Sequence, residues 1–460
     1  MKLKYIILSF AVLYAAVSTA QEQLSLSDAI RISLQSNYDI QIEKKNVVVA
    51  SNNNSWGEAG LMPNINLNAT SNNSVFADNN GDQFFNGQTF PGFELKDQRS
   101  YAITPSVNAN WVMFNGFKVK YNKARLENLQ AETEGNADIV IANTMQAVIL
   151  GYYLAVLEKE RLQVFKTQLN LSKDKYDLIK IRKDLGSAGS TDLLLEEGNY
   201  LNDSVNYINQ QLSYRNAVRN LNFLLAVEDV NQQYELTGAL EDEIQEFNFE
   251  DLINGIEDQN IDLKKQYLSQ AIISNNLGIA KADRMPRLSM DLGYNWRRNS
   301  QDLTSADYTG ANPNFSVPDE AAISKRSTYY ANFTLSYTLF NGGKINRAIK
   351  NAIVQEDIGN IRIEKIRATV YKDLASSFDQ YSIRNNIFDI NERRVAAAQT
   401  NLEISSDKFK SGTINSFDFR TVQNTHLTAS IQRLQALYNV IDSKVSLMRL
   451  TGGIIQTYNQ

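Results

Sequence analysis

The chain repeats itself across more than 200 residues. Leu61-Met62-Pro63 recurs as Arg284-Met285-Pro286, at an offset of 223. Asp28-Ala29-Ile30 recurs as Asp251-Leu252-Ile253 and Asn37 as Asn260, at the same offset. Phe114-Asn115-Gly116 recurs as Phe340-Asn341-Gly342, and Gly186, Ser190 and Asp192 recur as Gly412, Ser416 and Asp418, all at an offset of 226. The offset changes once, so a single loop differs by three residues. Such a unit is too long for a solenoid repeat. Each copy is expected to be half of a protein whose halves are related by a pseudo-twofold.

Both halves parse alike. A helical stretch is expected from Ser25 to about Gly60, and again from Phe249 to about Arg284, with Ser27 and Glu250 near the starts. Met-Pro then introduces a strict alternation. Ile65, Leu67 and Ala69 alternate with Asn64, Asn66 and Asn68. Tyr101, Ile103, Val107, Ala109, Trp111 and Met113 alternate with Thr104, Ser106, Asn108 and Asn110. The second half repeats this with Leu288, Met290, Leu292, Tyr294 and Trp296, and then with Tyr329, Ala331, Phe333, Leu335, Tyr337 and Leu339. Period-two alternation predicts strands at about 62–72, 101–114, 286–296 and 328–340. Each is close to the ~9–11 residues that cross a bilayer as a tilted strand. Polar loops are expected between them, at about 71–99 and 297–327.

After each Phe-Asn-Gly the punctuation stops. No Pro and only two Gly occur from Phe117 to Lys183, and no Pro from Gly343 to Phe409. The residues there favour helix, and Met145, Ile149, Tyr152 and Val156 step by a helical period. Helices are predicted over 117–183, 190–227, 343–409 and 416–449. A 67-residue helix would rise about 100 Å. Turns are expected at Leu185-Gly186-Ser187-Ala188-Gly189 and Ser411-Gly412-Thr413-Ile414-Asn415, with Ser190 and Ser416 capping the returning helices. Residues 21–228 form the first repeat, 229–248 a linker, 249–452 the second repeat and 453–460 a short tail.

Residues 1–20 read as a secretory signal: Lys2 and Lys4, the apolar run Ile6 to Val17, then Ser18-Thr19-Ala20. The chain has no cysteine, which leaves no disulfide and no lipid-carrying thiol. Its net charge of −5 becomes −7 without those two lysines, which argues against nucleic acid as a partner. Four membrane-length strands cannot close a barrel alone, because known spanning barrels have about eight or more. An open edge in lipid leaves backbone groups unsatisfied. Several chains must therefore pool strands, with the Asn-, Ser- and Thr-rich face lining water. Ordinary soluble sheets on a helical rod are the other way to use such strands.

The duplicated Asp-x-Ile start, Met-Pro before a strand, aromatic-Asn-Gly after the second strand and Gly-x-x-x-Ser-x-Asp at the helical turn occur in one order, twice. In this the chain resembles the TolC-like outer-membrane efflux protein family, from about Leu24 to Gly452. The resemblance implies a mainly helical α+β fold. It implies a homotrimer with a 12-stranded β-barrel in outer-membrane lipid, continued by an α-helical tube in the periplasm. It also implies a passive exit duct of a tripartite efflux pump or type I secretion system, completed by a periplasmic adaptor and an inner-membrane transporter. The turns match the family's periplasmic tips, where adaptors dock: Leu185, Gly186, Ser187, Ser190 and Asp192, then Ser411, Gly412, Thr413 and Ser416. Asp418 matches the first of two acidic positions that ring the family's pore. Thr421 stands at the second, where an acid is expected. Three Asp418 side chains would favour cations.

Tyr101, Trp111, Tyr294, Trp296, Tyr329 and Tyr337 are candidate membrane-interface aromatics, whereas Trp56 is expected in a core. Catalytic chemistry is sparse. His426 is the only histidine, and no phosphate-binding loop or Gly-x-Ser-x-Gly occurs. Glu196-Glu197 and Glu392-Arg393-Arg394 read as solvated helix faces. No enzyme, metal or cofactor is expected. The alternative to a duct is a periplasmic or surface coiled-coil protein without channel activity, and the cargo is not legible.

Overall fold

The computed structural model describes residues 22–240, 246–304, 307–308 and 318–458. The expected signal segment lies outside them. The chain divides into two compact units. One comprises the described parts of Met1–Ala50, Gln130–Ser269 and Asn360–Gln460. The other comprises Ser51–Leu129 and Gln270–Gly359.

The second unit holds the sheet. Its long strands are β2 (Asn64–Phe85), β3 (Gln88–Asn115), β5 (Arg287–Asp302) and β7 (Ala322–Ser336), in the spatial order β2-β3-β5-β7. All three contacts between them are antiparallel, and a short β6 (Asp307–Tyr308) pairs with β3. β2 and β7 are the outer strands of this row. Pro63 and Pro286 sit just before the first residues of β2 and β5, where a missing N–H costs no ladder bond.

The first half has no polar loop over 71–99. β2 and β3 continue through it and close at Asn86-Gly87, both with positive φ (53° and 78°). That is the two-residue Asn-Gly turn whose backbone twist suits a hairpin. The amphipathic pattern fades there because both faces carry polar residues, so periodicity alone could not follow the strand. In the second half β5 runs on to Asp302 and β7 begins at Ala322 but ends at Ser336, so Tyr337 to Phe340 lie beyond the strand. Gly116, in the first Phe-Asn-Gly, has φ +68°. A Cβ there would stand 2.5 Å from the Ala282 carbonyl oxygen, so only glycine fits the passage from strand to helix. Trp56 is not core: it is 47% exposed, with the Lys123 ammonium 5.7 Å above its ring.

The helical unit contains α1 (Leu26–Ser36), α2 (Tyr38–Asn53, in part), α5 (Phe249–Gln259) and α6 (Ile261–Ala282, in part). Each expected single helix is thus broken, at Asn37 and at Asn260, by the same device. The Asn37 side-chain oxygen accepts the N–H of Asp39 and Ile40, and its amide donates to the Leu224 carbonyl at 2.9 Å. Asn260 accepts the N–H of Leu263 and donates to the Leu450 carbonyl, also at 2.9 Å. One side chain therefore starts the second helix of each pair and fastens it to the end of a returning helix.

The helical hairpins are α3 (Lys118–Asp184) with α4 (Ser190–Leu225) and α7 (Lys344–Lys410) with α8 (Ser416–Leu450). α3 has the length and composition of a membrane-spanning helix, but its Met145, Val148, Ile149 and Tyr152 are fully buried. They pack with Leu221 and Leu225 of α4 and Leu437 and Ile441 of α8, so that apolar surface forms a core. The expected linker contains β4 (Tyr234–Leu236), which pairs in parallel with β1 (Glu22–Leu24). The Tyr152 hydroxyl donates to the Leu24 carbonyl (3.0 Å) and accepts the Gly238 N–H (2.9 Å), tying this ribbon to α3. The expected tail carries α9 (Gly453–Tyr458).

Candidate functional site: two helical turns, a buried polar seam and a two-faced sheet

The two turns share one helix stop. At the end of α3 the Gly186 N–H bonds the Lys183 carbonyl and the Ser187 N–H bonds that of Arg182, both at 2.8 Å. At the end of α7 the Gly412 N–H bonds Phe409 (3.1 Å) and the Thr413 N–H bonds Lys408 (2.8 Å). Both glycines have φ +75°, the left-handed residue that this helix stop requires. Ser187 and Ser411 add hydroxyl bonds to the carbonyls of Arg182 and Lys408.

Ser190 and Ser416 do not cap. Each is the first helical residue, and the caps are the extended residues before them, Gly189 and Asn415. The Asn415 side chain accepts the Asp418 N–H at 2.8 Å. Gly189 has no side chain, and Asp192 reaches back to its N–H at 3.1 Å. Asp192 and Asp418 are exposed in the first turns, where the helix dipole favours a carboxylate. Thr421 is also exposed, its hydroxyl bonded to the Phe417 carbonyl. Leu185 (77% exposed) and Phe417 (73%) present apolar surface at the turns.

Behind the turns lies a seam of buried polar groups that the sequence reading missed. Phe409 and Phe419 stack with centroids 4.9 Å apart. The Lys175 ammonium sits over both rings, at 5.3 and 5.6 Å. It donates to the Ser416 carbonyl (2.8 Å) and pairs with Glu196 (3.0 Å). Both partners of that pair are almost wholly buried. Glu196 is therefore not a solvated charge, as its place in an acidic run suggested. Burial pulls the Lys175 pKa below its usual value; Glu196 opposes this and nearby Arg420 adds to it.

Farther along, the Asp203 carboxylate takes both Arg420 guanidinium nitrogens (2.6 and 2.8 Å), the Gln168 amide (3.2 Å) and the Ser172 hydroxyl. A last layer joins Glu158 to Arg161 and Gln210, and Arg161 to Gln435. Between these layers Gln423 is fully buried, and neither of its amide atoms has a partner among the described residues. The signal was present as spacing. Glu196, Asp203 and Gln210 are seven apart, and Gln168, Ser172 and Lys175 step by four and three, so each set lies on one helix face.

His426 is half-buried, with its Nε2 3.4 Å from the Ser430 hydroxyl, and burial lowers its pKa. No three His, Cys, Asp or Glu side chains converge as metal ligands among the described residues.

In the sheet, pairing sorts the aromatics. Directly opposed residues point to the same face. Tyr294 opposes Tyr329 with ring centroids 4.7 Å apart, Trp111 opposes Met290, and Tyr101 opposes Ser300. Together with Trp296 these lie on the face of Leu288, Met290 and Leu292. Trp111 also donates its indole N–H to the Leu61 carbonyl at 2.7 Å. Tyr337 lies past the end of β7. The other face carries Asn64, Asn66, Asn68, Asn108, Asn110 and Asn295, with Asn68 bonded to Asn108 at 2.9 Å.

The family model described as "Outer membrane efflux protein" matches twice, over residues 29–227 and 252–453. Outer membrane protein TolC of Salmonella enteritidis is 21% identical over 339 residues, covering 70% of this chain and 65% of that protein. TolC of Escherichia coli (strain K12) is 20% identical over 346 residues, covering 72% and 66%. The matched part thus spans just under two thirds of these relatives' length. Among solved structures, CusC superposes with a TM-score of 0.71 at 16% identity, over 95% of this chain and 94% of that one. The CmeC outer membrane channel of Campylobacter jejuni gives 0.70 at 14% identity, over 93% and 85%.

Proposed function

Because the chain belongs to the outer membrane efflux protein family, we propose that it forms the exit duct of a tripartite efflux pump or a type I secretion system. It resides in the outer membrane with a periplasmic helical extension, and it is not an enzyme. The carrying observation is the sheet. It has an apolar face, an asparagine-lined face and two outer strands whose far edges have no partner strand among the described residues. An isolated four-stranded sheet of this kind would leave two rows of backbone groups unsatisfied in lipid. A homotrimer pools 12 strands, closes both edges and turns the asparagines toward a water-filled lumen. Small molecules or secreted protein pass through it passively.

The exposed turns, with Leu185, Gly186, Ser187, Ser190 and Asp192 on one and Ser411, Gly412, Thr413 and Ser416 on the other, are the docking points of a periplasmic adaptor. That adaptor links the duct to an inner-membrane transporter. Asp418 of three protomers lines the entrance beside Thr421. Tyr101, Trp111, Tyr294, Trp296, Tyr329 and Tyr337 mark the membrane interfaces. Three family features support this reading: the doubled match, the identical helix stops at both turns, and the exposed apolar side chains beside them.

The test is the mass and conductance of the particle extracted in detergent. Native mass spectrometry is expected to give three chains, and planar bilayers a channel whose cation preference falls in Asp418→Ala. A monomer that needs no detergent overturns the duct in favour of a soluble coiled-coil protein. Unchanged selectivity in Asp418→Ala removes the pore role of that residue alone.

A further inference from the structure

The apolar face of the sheet ends in two cations. From the helix end outward, β5 and β7 stack directly opposed pairs on this face: Leu288 with Leu335, Met290 with Phe333, Leu292 with Ala331, Tyr294 with Tyr329 and Trp296 with Ser327. None of these residues is charged. The next pair is Arg298 with Lys325. Both side chains are exposed, and neither has a hydrogen-bond or ion-pair partner among the described residues. On β3 the neighbour is Ile103, directly opposite Arg298.

Like charges directly opposed across two strands destabilise the pairing, yet here they are adjacent and uncompensated among the described residues. Four residues farther on, Arg99 stands opposite Asp302, so the next cation on this face has its carboxylate. Arg297 and Arg326 oppose each other one position away, but on the asparagine face, and so belong to different surroundings.

The height of the pair is informative. Leu288 to Arg298 is ten residue steps, about 33 Å along a strand at ~3.3 Å each. At the usual tilt of ~40° this is about 25 Å along the membrane normal, the height of the apolar band of an outer-membrane barrel. The aromatic pair Tyr294–Tyr329 and Trp296 come immediately before it, as expected at an interface. Resting on the outer-membrane reading of the sheet, we propose that Arg298 and Lys325 form a binding site for the phosphate of an anionic lipid headgroup in the outer leaflet. The tyrosines and Trp296 pack on the lipid's first carbons. The phosphate supplies the negative charge that no described side chain brings to this pair, and the lipid becomes part of the rim of the sheet.

The test uses the full-length protein in its native detergent-extracted assembly, mixed with micelles holding phosphorylated lipid A or dephosphorylated lipid A. Lipid retained per assembly is counted by native mass spectrometry. The unchanged protein is expected to retain the phosphorylated form preferentially. R298Q/K325Q is expected to lose roughly thirtyfold in retention, as removal of two interfacial cations implies. Arg287→Gln, a cation at the opposite end of the sheet, is expected to change nothing. Arg298→Glu guards against misfolding: it places an acid opposite Lys325, should pair at least as stably, and should still lose the lipid.

Equal retention by R298Q/K325Q or by Arg298→Glu overturns the proposal, as does indifference of the unchanged protein to the phosphate. Displacement of the lipid by inorganic phosphate at matched concentration assigns the site to the free anion and overturns the lipid reading. A chain that needs no detergent would remove the membrane reading itself. An outer-membrane assembly whose lipid retention ignores Arg298 and Lys325 removes only this inference.

Discussion

Where the first helical hairpin buries Ser172, Asp203 and Gln210, the second, 226 residues on, buries Ala398, Ala429 and Ala436. Lys175 corresponds to Asn401, and Arg420 to the exposed Leu194. The two copies keep the same turns and the same Asn37 and Asn260 fasteners, but their interiors differ. An alanine seam desolvates nothing polar and accepts any close neighbour. A carboxylate at the same place is tolerable only beside a fitted cation. Asp203 finds that cation in Arg420, on a helix from the other copy. Duplication supplied one backbone plan, and divergence placed the charges that let one hairpin recognise the other.

The strongest way to break this comparison is to remove the charge on one side. Asp203→Ala leaves the Arg420 guanidinium largely buried and unpaired, and is expected to cost about 3–5 kcal/mol, read as a lowered midpoint of thermal unfolding by far-UV circular dichroism. Ala429→Asp, its counterpart in the alanine seam, buries a carboxylate with no fitted cation and should cost a similar amount. Replacing both partners, D203A with R420M, should recover most of the loss. If the double variant is no better than Asp203→Ala, the pair's role is not mutual.

The shared parts should respond alike. Asn37→Ala and Asn260→Ala each lose a cap and a carbonyl bond, and each is expected to cost about 1–2 kcal/mol. A clear inequality in their melting curves would show that the copies no longer use the device equally. Gly186→Ala and Gly412→Ala force a Cβ into left-handed backbone with open space around it. Strain alone should then cost each about 1–2 kcal/mol. The smallest effect concerns His426, which has no histidine counterpart in the first half. Burial holds its pKa below 6.5, so the unfolded chain takes up the proton first on acidification. The stability it contributes is present above pH 6.5 and is lost as pH falls through the folded value. His426→Gln should flatten the melting midpoint across that window.

The repeat, the strand faces and the long proline-free helices were legible because each rests on a period that one chain displays: two for strands, 3.6 for helices. Boundaries were less legible where the period fails. β2 and β3 pass through 71–99 with polar residues on both faces, and only Asn86-Gly87 marked the turn. Asn37 and Asn260 were visible as a repeat but not as breaks, because their work depends on carbonyls 187 and 190 positions away. The seam was hidden for a related reason. Glu196 beside Glu197 reads as solvated charge until Lys175 is seen beneath it. Ser190 and Ser416 looked like caps because Ser is a good cap, but the helices begin one residue earlier than that reading requires.

The open outer edges of β2 and β7 also bear on the genetics of this chain. If a finished sheet needs edges from separate copies, each copy contributes to two seams. A defect confined to one edge, such as a proline within β7, would then not be confined to the product of one allele. Mixed with the unaltered chain, most assemblies would contain at least one faulty seam, and the altered copy would act as a dominant poison rather than a simple loss.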